Sequence, residues 1–521
     1  MLMLYLAFVF HMHQPYYKNI LDNSVDVPWV RLHATKDYVD MVQMLSKFPL
    51  IRQTFNIVPS LFEQVEDYVN KNIKDKYLDL SSKSASELNE QEKAFIREHF
   101  FSINKDKVIS THPRYYELYL KKAANKPYSD QDYLDLQVWF NLSWIDPYFR
   151  QDMPELRAIV ARGRHFSEED KKAVLDKQLT ILSSLIPVYK QFQSSGQIEV
   201  TVTPYYHPIL PLLYNTNIGK EANPKTKLPG INFSFPQDAK AQIEDAVKFY
   251  KERFGLAPNG MWPSEESVSE HIIPFLIGAG IKWIIADEAI LYKSLKYKKR
   301  DPRLLYHPYS LKREEGSLNI VFRDRNLSDL IGFVYNHWEA EPAVNDFMKH
   351  LQNIAHTFKD KDTLVCIAMD GENAWEYYRN DGHDFLELLY ERISEAKFLK
   401  TTTIKDYLEA HPPSADIPRI AAGSWIFAEF AKWIGNPHKN LAWEYLAKAR
   451  QEFENIKDNL SASALALAWK QIYISEGSDW FWWYGDNQED FDRLFRMHLS
   501  NFYKIIGREI PGYLKSPLAP Y

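Results

Sequence analysis

Two acidic side chains, Glu265 and Asp370, stand just after short apolar runs that lie far apart in the sequence. A pair of carboxyl groups suits glycoside hydrolysis, because an ionised carboxylate attacks or stabilises the anomeric carbon while a protonated one donates to the leaving oxygen. An Asp or Glu at the start of a loop also serves as a helix cap or a solvated charge, so neither residue is diagnostic by itself.

Histidines indicate a second chemistry. His11 and His13 follow the first apolar run, and His207 and His337 come later in the chain. A His-x-His pair at the end of a first barrel strand is also how metal-dependent hydrolases begin their sites. The later runs end mainly in carboxylates and arginines. A metal-dependent hydrolase that uses His11 and His13 therefore stays open as an alternative.

The apolar runs predict the scaffold that brings these residues together. Several are near-continuous Val, Ile, Leu and Phe, which is typical of parallel strands covered on both faces. Amphipathic helical segments separate them, and this alternation indicates βαβ units in an open sheet or a barrel. In a barrel the carboxyl ends of the strands meet at one mouth. The predicted strands are residues 4–10, 54–58, 198–203, 260–262, 281–286, 318–322 and 364–369.

The order of elements predicts two domains. Residues 1–400 carry the strand and helix alternation, interrupted by a helical insertion at about 59–195. Residues 401–521 are helical in pattern, and the Pro-rich segment 411–414 lies near the boundary. We expect this second domain to contribute to the cleft.

Composition excludes several classes of partner. The 521 residues carry a formal net charge of -6 with no long basic block, which argues against nucleic acid and anionic membranes. The single Cys366 excludes an intrachain disulfide. The apolar start lacks a basic leader region, and no stretch reaches roughly 18 unbroken apolar residues. We expect a cytoplasmic protein whose first run is a buried strand.

Five segments resemble the ordered signature regions of glycoside hydrolase family 57. The resemblance implies an incomplete (β/α)7 barrel followed by a helical domain, and activity on α-glucans with retention of configuration. It implies Glu265 as the nucleophile and Asp370 as the general acid/base, with Glu266 and Glu372 as their neighbours and rivals. The five segments are His11-Met12-His13-Gln14-Pro15, Gly196-Gln197-Ile198-Glu199, Gly260-Met261-Trp262-Pro263-Ser264-Glu265, Met369-Asp370-Gly371-Glu372-Asn373 and Gly423-Ser424-Trp425-Ile426.

The same resemblance implies a set of substrate-binding residues. His13 falls where the family places a histidine near the catalytic subsite, and the aromatic run 480–484 follows Asp479 in the predicted helical domain. A helix with rings on all sides must bury some of them, so only one or two can reach the cleft. The predicted substrate-binding residues are His11, His13, Gln14, Glu199, His207, Trp262, Glu372, Trp425, Asp479 and Trp480.

Three segments, 262–265, 370–376 and 478–485, look most like the amylopullulanase branch of the family, which hydrolyses α-1,4 and α-1,6 links. Branching enzymes of the family usually carry a Cys after the nucleophile, where this chain has Glu266. Transfer to a sugar hydroxyl instead of water stays open, because both acceptors meet the same intermediate. We expect α-glucan polysaccharides and maltooligosaccharides as partners and no metal or cofactor in the reaction. A retaining route requires an ionised Glu265 and a protonated Asp370 about 5–5.5 Å apart.

Overall fold

A computed structural model describes residues 3–485 and 489–518, and its centre is a barrel of seven parallel strands. Neighbours in sequence are neighbours in the barrel. The last strand closes it by pairing along the first, from Leu4 with Thr363 to His11 with Asp370. The strands are β1 (Leu4–Met12), β2 (Gln53–Ile57), β3 (Ile198–Val202), β4 (Gly260–Met261), β5 (Trp283–Asp287), β6 (Gly316–Arg323) and β7 (Thr363–Asp370).

Each predicted apolar run forms one of these strands, so the predicted (β/α)7 barrel is confirmed. β6 and β7 pair at Arg323 and Cys366, and β3 and β4 pair at Val202 and Met261, so each of these two seams has a single register pair. Short strands extend the sheet outside it. The strand Tyr309–Arg313 pairs antiparallel with β6, and the strand Ala415–Asp416 pairs parallel with Tyr309–Arg313. The strand Leu399–Thr401 pairs parallel with β1.

Between β2 and β3 the chain forms a helical block. Its longest helix, Glu168–Ser194, begins at a capping box in which the Ser167 hydroxyl accepts from the Asp170 backbone N–H. The other helices of the block are Pro59–Val69, Lys76–Ser82, Glu90–His99, Pro113–Ala123, Asp130–Ser143, Pro147–Asp152 and Pro154–Arg162.

The remaining helices cover the barrel or follow it. Those along the barrel are Trp29–Lys36, Val39–Met44, Leu210–Tyr214, Ile218–Ala222, Pro236–Phe254, Ile273–Gly278, Glu288–Ser294, Pro302–Leu305, Arg325–Asp329, Ala340–Thr357, His383–Glu395 and Ile404–Ala410. The last group is Pro437–Ile456, Ala462–Ser475, Ser478–Trp483 and Glu489–Ile505. Within residues 3–485 and 489–518 no helix combines the length and apolarity needed to cross a bilayer. The two-domain boundary stays a prediction.

The barrel interior is filled by apolar side chains around Trp283. This cluster includes Val9, Trp262 and Cys366, and helix Ile404–Ala410 packs against it. A Cβ on Gly260 would stand 2.1 Å from the Trp283 ring, so β4 needs a glycine beside that indole. The packed interior leaves the carboxyl ends of the strands as the place for a site.

Candidate active site

The turn after β4 carries Glu265 in a conformation that side chains rarely adopt. Glu265 and Glu266 have φ of 58° and 51°, in the left-handed region, at a cost of about 1–3 kcal/mol each. The segment from Gly423 holds the turn. The Trp425 backbone N–H donates to the Glu265 carbonyl (3.2 Å), and Val268 bridges Gly423, where a Cβ would stand 2.3 Å from the Ala428 carbonyl oxygen. Strain of this kind is typical of functional sites.

The Glu265 carboxyl is bound by the indole of Trp425, whose Nε1 donates to Oε2 at 2.8 Å. Burial raises the pKa of Glu265 to about 8; the Trp425 bond opposes this rise, and the charge of Asp370 adds to it. Burial therefore acts against the predicted ionised form of Glu265 in the unliganded protein. Burial removes water from the carboxylate, and the charge of Lys432 opposes the resulting rise in pKa.

Asp370 ends β7 and lies opposite His11 of β1 in the strand register. Its side chain is exposed, and Oδ2 accepts from Asn373 Nδ2 at 3.0 Å. Because its charge acts on the pKa of Glu265 and of His11, the three groups share one electrostatic environment at the carboxyl ends of β1, β4 and β7.

Three histidines and one tryptophan form a layer of rings at this mouth. The His13 and His207 rings stack with centroids 3.9 Å apart, and His11 stacks on His207 at 5.1 Å. The other face of His11 lies 4.9 Å from the Trp262 indole, nearly parallel to it. Residues predicted from three separate segments therefore meet in one place.

A chain of hydrogen bonds fixes the histidine tautomers. Asn56 Oδ1 accepts from the Thr203 hydroxyl, so the contact of that oxygen with His11 Nδ1 (2.6 Å) requires a proton on Nδ1. His11 Nε2 then accepts from His207 Nε2 (3.1 Å), and His207 Nδ1 accepts from the Ser478 hydroxyl (2.8 Å). Burial lowers the pKa of His11 to about 4 and the pKa of His207 well below its ordinary value, so both rings are neutral.

His13 is the histidine of this layer with a charged partner. Its Nε2 lies 2.7 Å from Asp479 Oδ1, and its backbone N–H donates to Glu372 Oε1 at 3.3 Å. Gln14 Nε2 also donates to that oxygen (3.4 Å). Glu372 is 2% exposed and burial raises its pKa well above the ordinary range. Glu372 and Gln14 therefore support the His13 segment from inside, and their contact with substrate stays a prediction.

Glu266 points away from Glu265 into a group of charges. Its Oε1 lies 4.0 Å from an Arg323 nitrogen, and Arg323 also donates to Asp329 and lies 3.9 Å from Asp287. Burial raises the pKa of Glu266 to about 8 despite the arginine. The geometry favours Glu265 over its neighbour as the carboxyl that meets a ligand.

The helix Ser478–Trp483 contributes a different ring from the one predicted. Trp480 is 1% exposed and its Nε1 donates to the Ile474 carbonyl at 2.8 Å, so the prediction that Trp480 binds substrate is wrong. Trp482 is half-buried and stacks on Trp425, with centroids 6.3 Å apart. Asp479 and Trp482 are three residues apart and so share a helix face, a spacing that could have identified this ring.

Glu199 also lies elsewhere. It is the second residue of β3, and its Oε1 accepts from the indole of Trp283, the first residue of β5, at 2.9 Å. Its Oε2 accepts from the Lys405 backbone N–H at 2.9 Å. Both contacts belong to the amino-terminal end of the barrel, so the prediction that Glu199 lies at the cleft is wrong.

The cleft also contains donor atoms that a metal ion could use. In the part of the chain that the structure describes, donor atoms of His13, His207 and Asp479 lie within 4.8 Å of one another. Both ring nitrogens of His207 and of His11 already have protein partners, and His337 is exposed on the turn Tyr335–His337. The predicted alternative, a metal held by His11 and His13, therefore lacks a free nitrogen on His11.

The fold is a seven-stranded parallel barrel with acidic side chains at the carboxyl ends of its strands. The family described as "Glycosyl hydrolase family 57" matches residues 7–420. The chain belongs to this family, and the family resemblance of the sequence is confirmed.

Known members of the family differ in their activities. "Alpha-amylase 1" of Dictyoglomus thermophilum is 26% identical over 284 residues, which are 53% of this chain and 35% of that protein. The branching enzyme of Pyrococcus horikoshii has a solved structure that is 17% identical, covers 96% of this chain and 89% of its own, and has a TM-score of 0.63. The alpha-amylase AmyC of Thermotoga maritima is 14% identical, with coverage of 98% and 96% and a TM-score of 0.61. The chain aligns with only 34% to 37% of the length of its curated relatives, and the solved structures show the fold alone.

Proposed function

We propose that the protein is a retaining enzyme of α-glucans in which Glu265 is the nucleophile and Asp370 the general acid/base. The observation that carries the proposal is the placement of Glu265. Its carboxyl is held by Trp425 on a strained turn, at the mouth where the charge of Asp370 acts on it.

The reaction needs one proton shared by the two carboxyls. Asp370, exposed at the mouth, gives its proton to the leaving glycosidic oxygen while Glu265 Oε1 or Oε2 bonds to the anomeric carbon. Water then loses a proton to Asp370 and attacks the glycosyl ester, which frees the sugar with retained configuration. Since burial raises the pKa of Glu265, substrate binding has to favour the ionised form of that carboxyl before it can attack.

The surrounding side chains suit a sugar. The Trp425 and Trp482 rings lie within 15° of parallel and offer apolar faces to pyranose C–H groups. The His13 and Asp479 pair offers a polar edge to a hydroxyl. The bond between Trp425 and Glu265 joins the platform to the nucleophile, so a ring that stacks there is placed at the reacting carboxyl.

For the substrate we propose starch-type glucans and pullulan, with cleavage of α-1,4 and α-1,6 links as in amylopullulanases. The motif likeness around Glu265, Asp370 and residues 478–485 supports this subtype. The competing activity is transfer, because a relative of similar fold is named a branching enzyme.

Product analysis separates these activities. Incubation with pullulan should release maltotriose, because cleavage of its α-1,6 links leaves that unit intact. Panose, or no product, would contradict the amylopullulanase subtype. A second incubation at high maltooligosaccharide concentration measures transfer. If the amount of longer or branched products exceeds the gain in reducing ends, the chain is a transferase.

The Trp425 bond predicts a pH effect. In the active form, Glu265 and Asp370 together carry one proton. At high pH this proton is lost and kcat/KM falls, so the basic limb of the pH profile should lie near the Glu265 pKa of about 8. Trp425→Phe removes a bond that favours the ionised form, so the pKa rises further. We expect the basic limb to move up by about one to two pH units and kcat to fall about tenfold or more, since fewer molecules hold Glu265 ionised.

The matched control is Trp482→Phe, which alters the same platform without touching Glu265. It should weaken substrate binding and leave the basic limb in place. An unchanged basic limb of the pH profile in Trp425→Phe would contradict the role of the Trp425 bond. An equal shift of that limb in both variants would contradict it too.

A further inference from the structure

A second buried polar cluster lies between the helical block and the loop that follows Asp370. Asp40 belongs to helix Val39–Met44, Asp146 precedes helix Pro147–Asp152, and His383 begins helix His383–Glu395. Their donor atoms lie within 4.8 Å of one another, and the residues are 6%, 1% and 7% exposed. None of the three takes part in the site around Glu265.

The cluster contains an unsatisfied acceptor. Asp40 Oδ1 is buried and has no hydrogen-bond partner, although leaving such a group unpaired costs about 1–3 kcal/mol or more. Asp146, in contrast, has hydrogen-bond partners. Both of its oxygens lie 2.9 Å from His383 Nε2, and Oδ1 also accepts from the Tyr148 backbone N–H. Residues 3–485 and 489–518 therefore supply no hydrogen-bond partner for Asp40 Oδ1.

Acidic side chains outnumber basic ones around the cluster. Lys36 is paired with Asp37 and Asp381, and His33 bonds to Asp37. Four carboxyl groups and two basic side chains lie in this largely buried region, and the partly buried Glu376 adds a further carboxyl group. The carboxylates are Asp37, Asp40, Asp146 and Asp381, and the cations are Lys36 and Arg150.

We propose that Asp40, Asp146 and His383 bind one divalent cation of the zinc type. Two carboxylate oxygens and one imidazole nitrogen are donors that Zn²⁺ accepts, and Asp40 Oδ1 would gain a partner. Binding requires His383 to present Nε2 without a proton, so any proton there leaves for solvent.

The site joins two parts of the fold. Asp40 and Asp146 lie on either side of the barrel strand β2 in sequence, whereas His383 ends the loop 371–382 that begins at Asp370. A bound ion would fix the far end of that loop against the helical block. Its role is structural and needs no part in the reaction, so it does not depend on the proposed function. The competing arrangement is a metal-free cluster with a protonated Asp40 and a charged His383.

The test is metal analysis of the full chain, produced with added Zn²⁺ and dialysed. We expect about one zinc ion per chain and, on removal by a chelator, a fall in Tm of roughly 3 °C or more that added Zn²⁺ reverses. Asp40→Asn and His383→Gln should lose the zinc. Asp384→Asn, which changes an exposed neighbour, and Asp479→Asn, which changes the cleft cluster, should retain it.

A wild-type measurement guards against variants that fail to fold. X-ray absorption at the zinc edge should show one imidazole, as at His383, and not the two that the cleft cluster of His13 and His207 would supply. A wild-type chain without zinc whose Tm does not respond to Zn²⁺ would overturn the proposal. Zinc lost only in Asp479→Asn, or a two-imidazole spectrum, would overturn it equally.

Discussion

Glu265→Gln is expected to lower the turnover of maltooligosaccharides by roughly a thousandfold or more while the protein stays folded and binds them. The amide cannot form the glycosyl ester, so the first step fails. It still has an oxygen that accepts from the Trp425 indole and occupies the same volume on the same strained turn. Initial rates measure the loss, and titration calorimetry with a maltooligosaccharide measures the binding that should remain.

Glu266→Gln is the matched control, because it changes the adjacent carboxyl in the same left-handed turn. Its carboxyl faces Arg323 and not Trp425, so we expect a loss below about tenfold. A further readout is chemical. Azide added to Glu265→Ala should give a glycosyl azide of inverted configuration, because the small anion attacks where the nucleophile stood. Equal losses in the two Gln variants, or a larger one in Glu266→Gln, would contradict the assignment.

The barrel could be predicted from the sequence because its strands are buried on both faces. Such strands consist of continuous apolar residues, and all seven predicted runs became strands. Helix boundaries were harder. The chain between β1 and β2 forms two helices, Trp29–Lys36 and Val39–Met44, which are separated at Asp37, where Lys36 and Asp37 take part in buried ion pairs beside Asp40. Long-range electrostatics of this kind leave no local pattern.

The site could be predicted where a residue follows a strand directly. His11, Asp370 and Glu265 stand at the carboxyl ends of their strands, and the topology alone brings these ends together. Glu199 misled the prediction because it stands at the start of its strand, which the motif does not reveal. Trp480 misled it because only the tertiary packing decides which rings of an aromatic helix are buried.

The ionisation of Glu265 was beyond the sequence for a related reason. Its pKa depends on burial and on an indole 160 residues further along the chain. The tautomers of His11 and His207 likewise depend on Asn56, which no motif singles out, and on Ser478, whose place in the segment 478–485 does not reveal its contact with His207. Neutral polar partners of a site are the part that a motif search leaves out, because Asn and Ser are common residues.

Asp370→Asn tests the other carboxyl, and its loss should depend on the leaving group. With maltooligosaccharides, whose leaving sugar needs a proton, we expect roughly a thousandfold loss or more. With an α-maltosyl fluoride the first step should stay within about tenfold of the wild type, because fluoride leaves without a proton.

Azide added to Asp370→Asn should raise turnover and give a glycosyl azide of retained configuration, since Glu265 is intact. Glu372→Gln, whose carboxyl supports the His13 segment from inside, should show no such dependence on the leaving group. An Asp370→Asn variant equally slow on both substrates would assign Asp370 to another role.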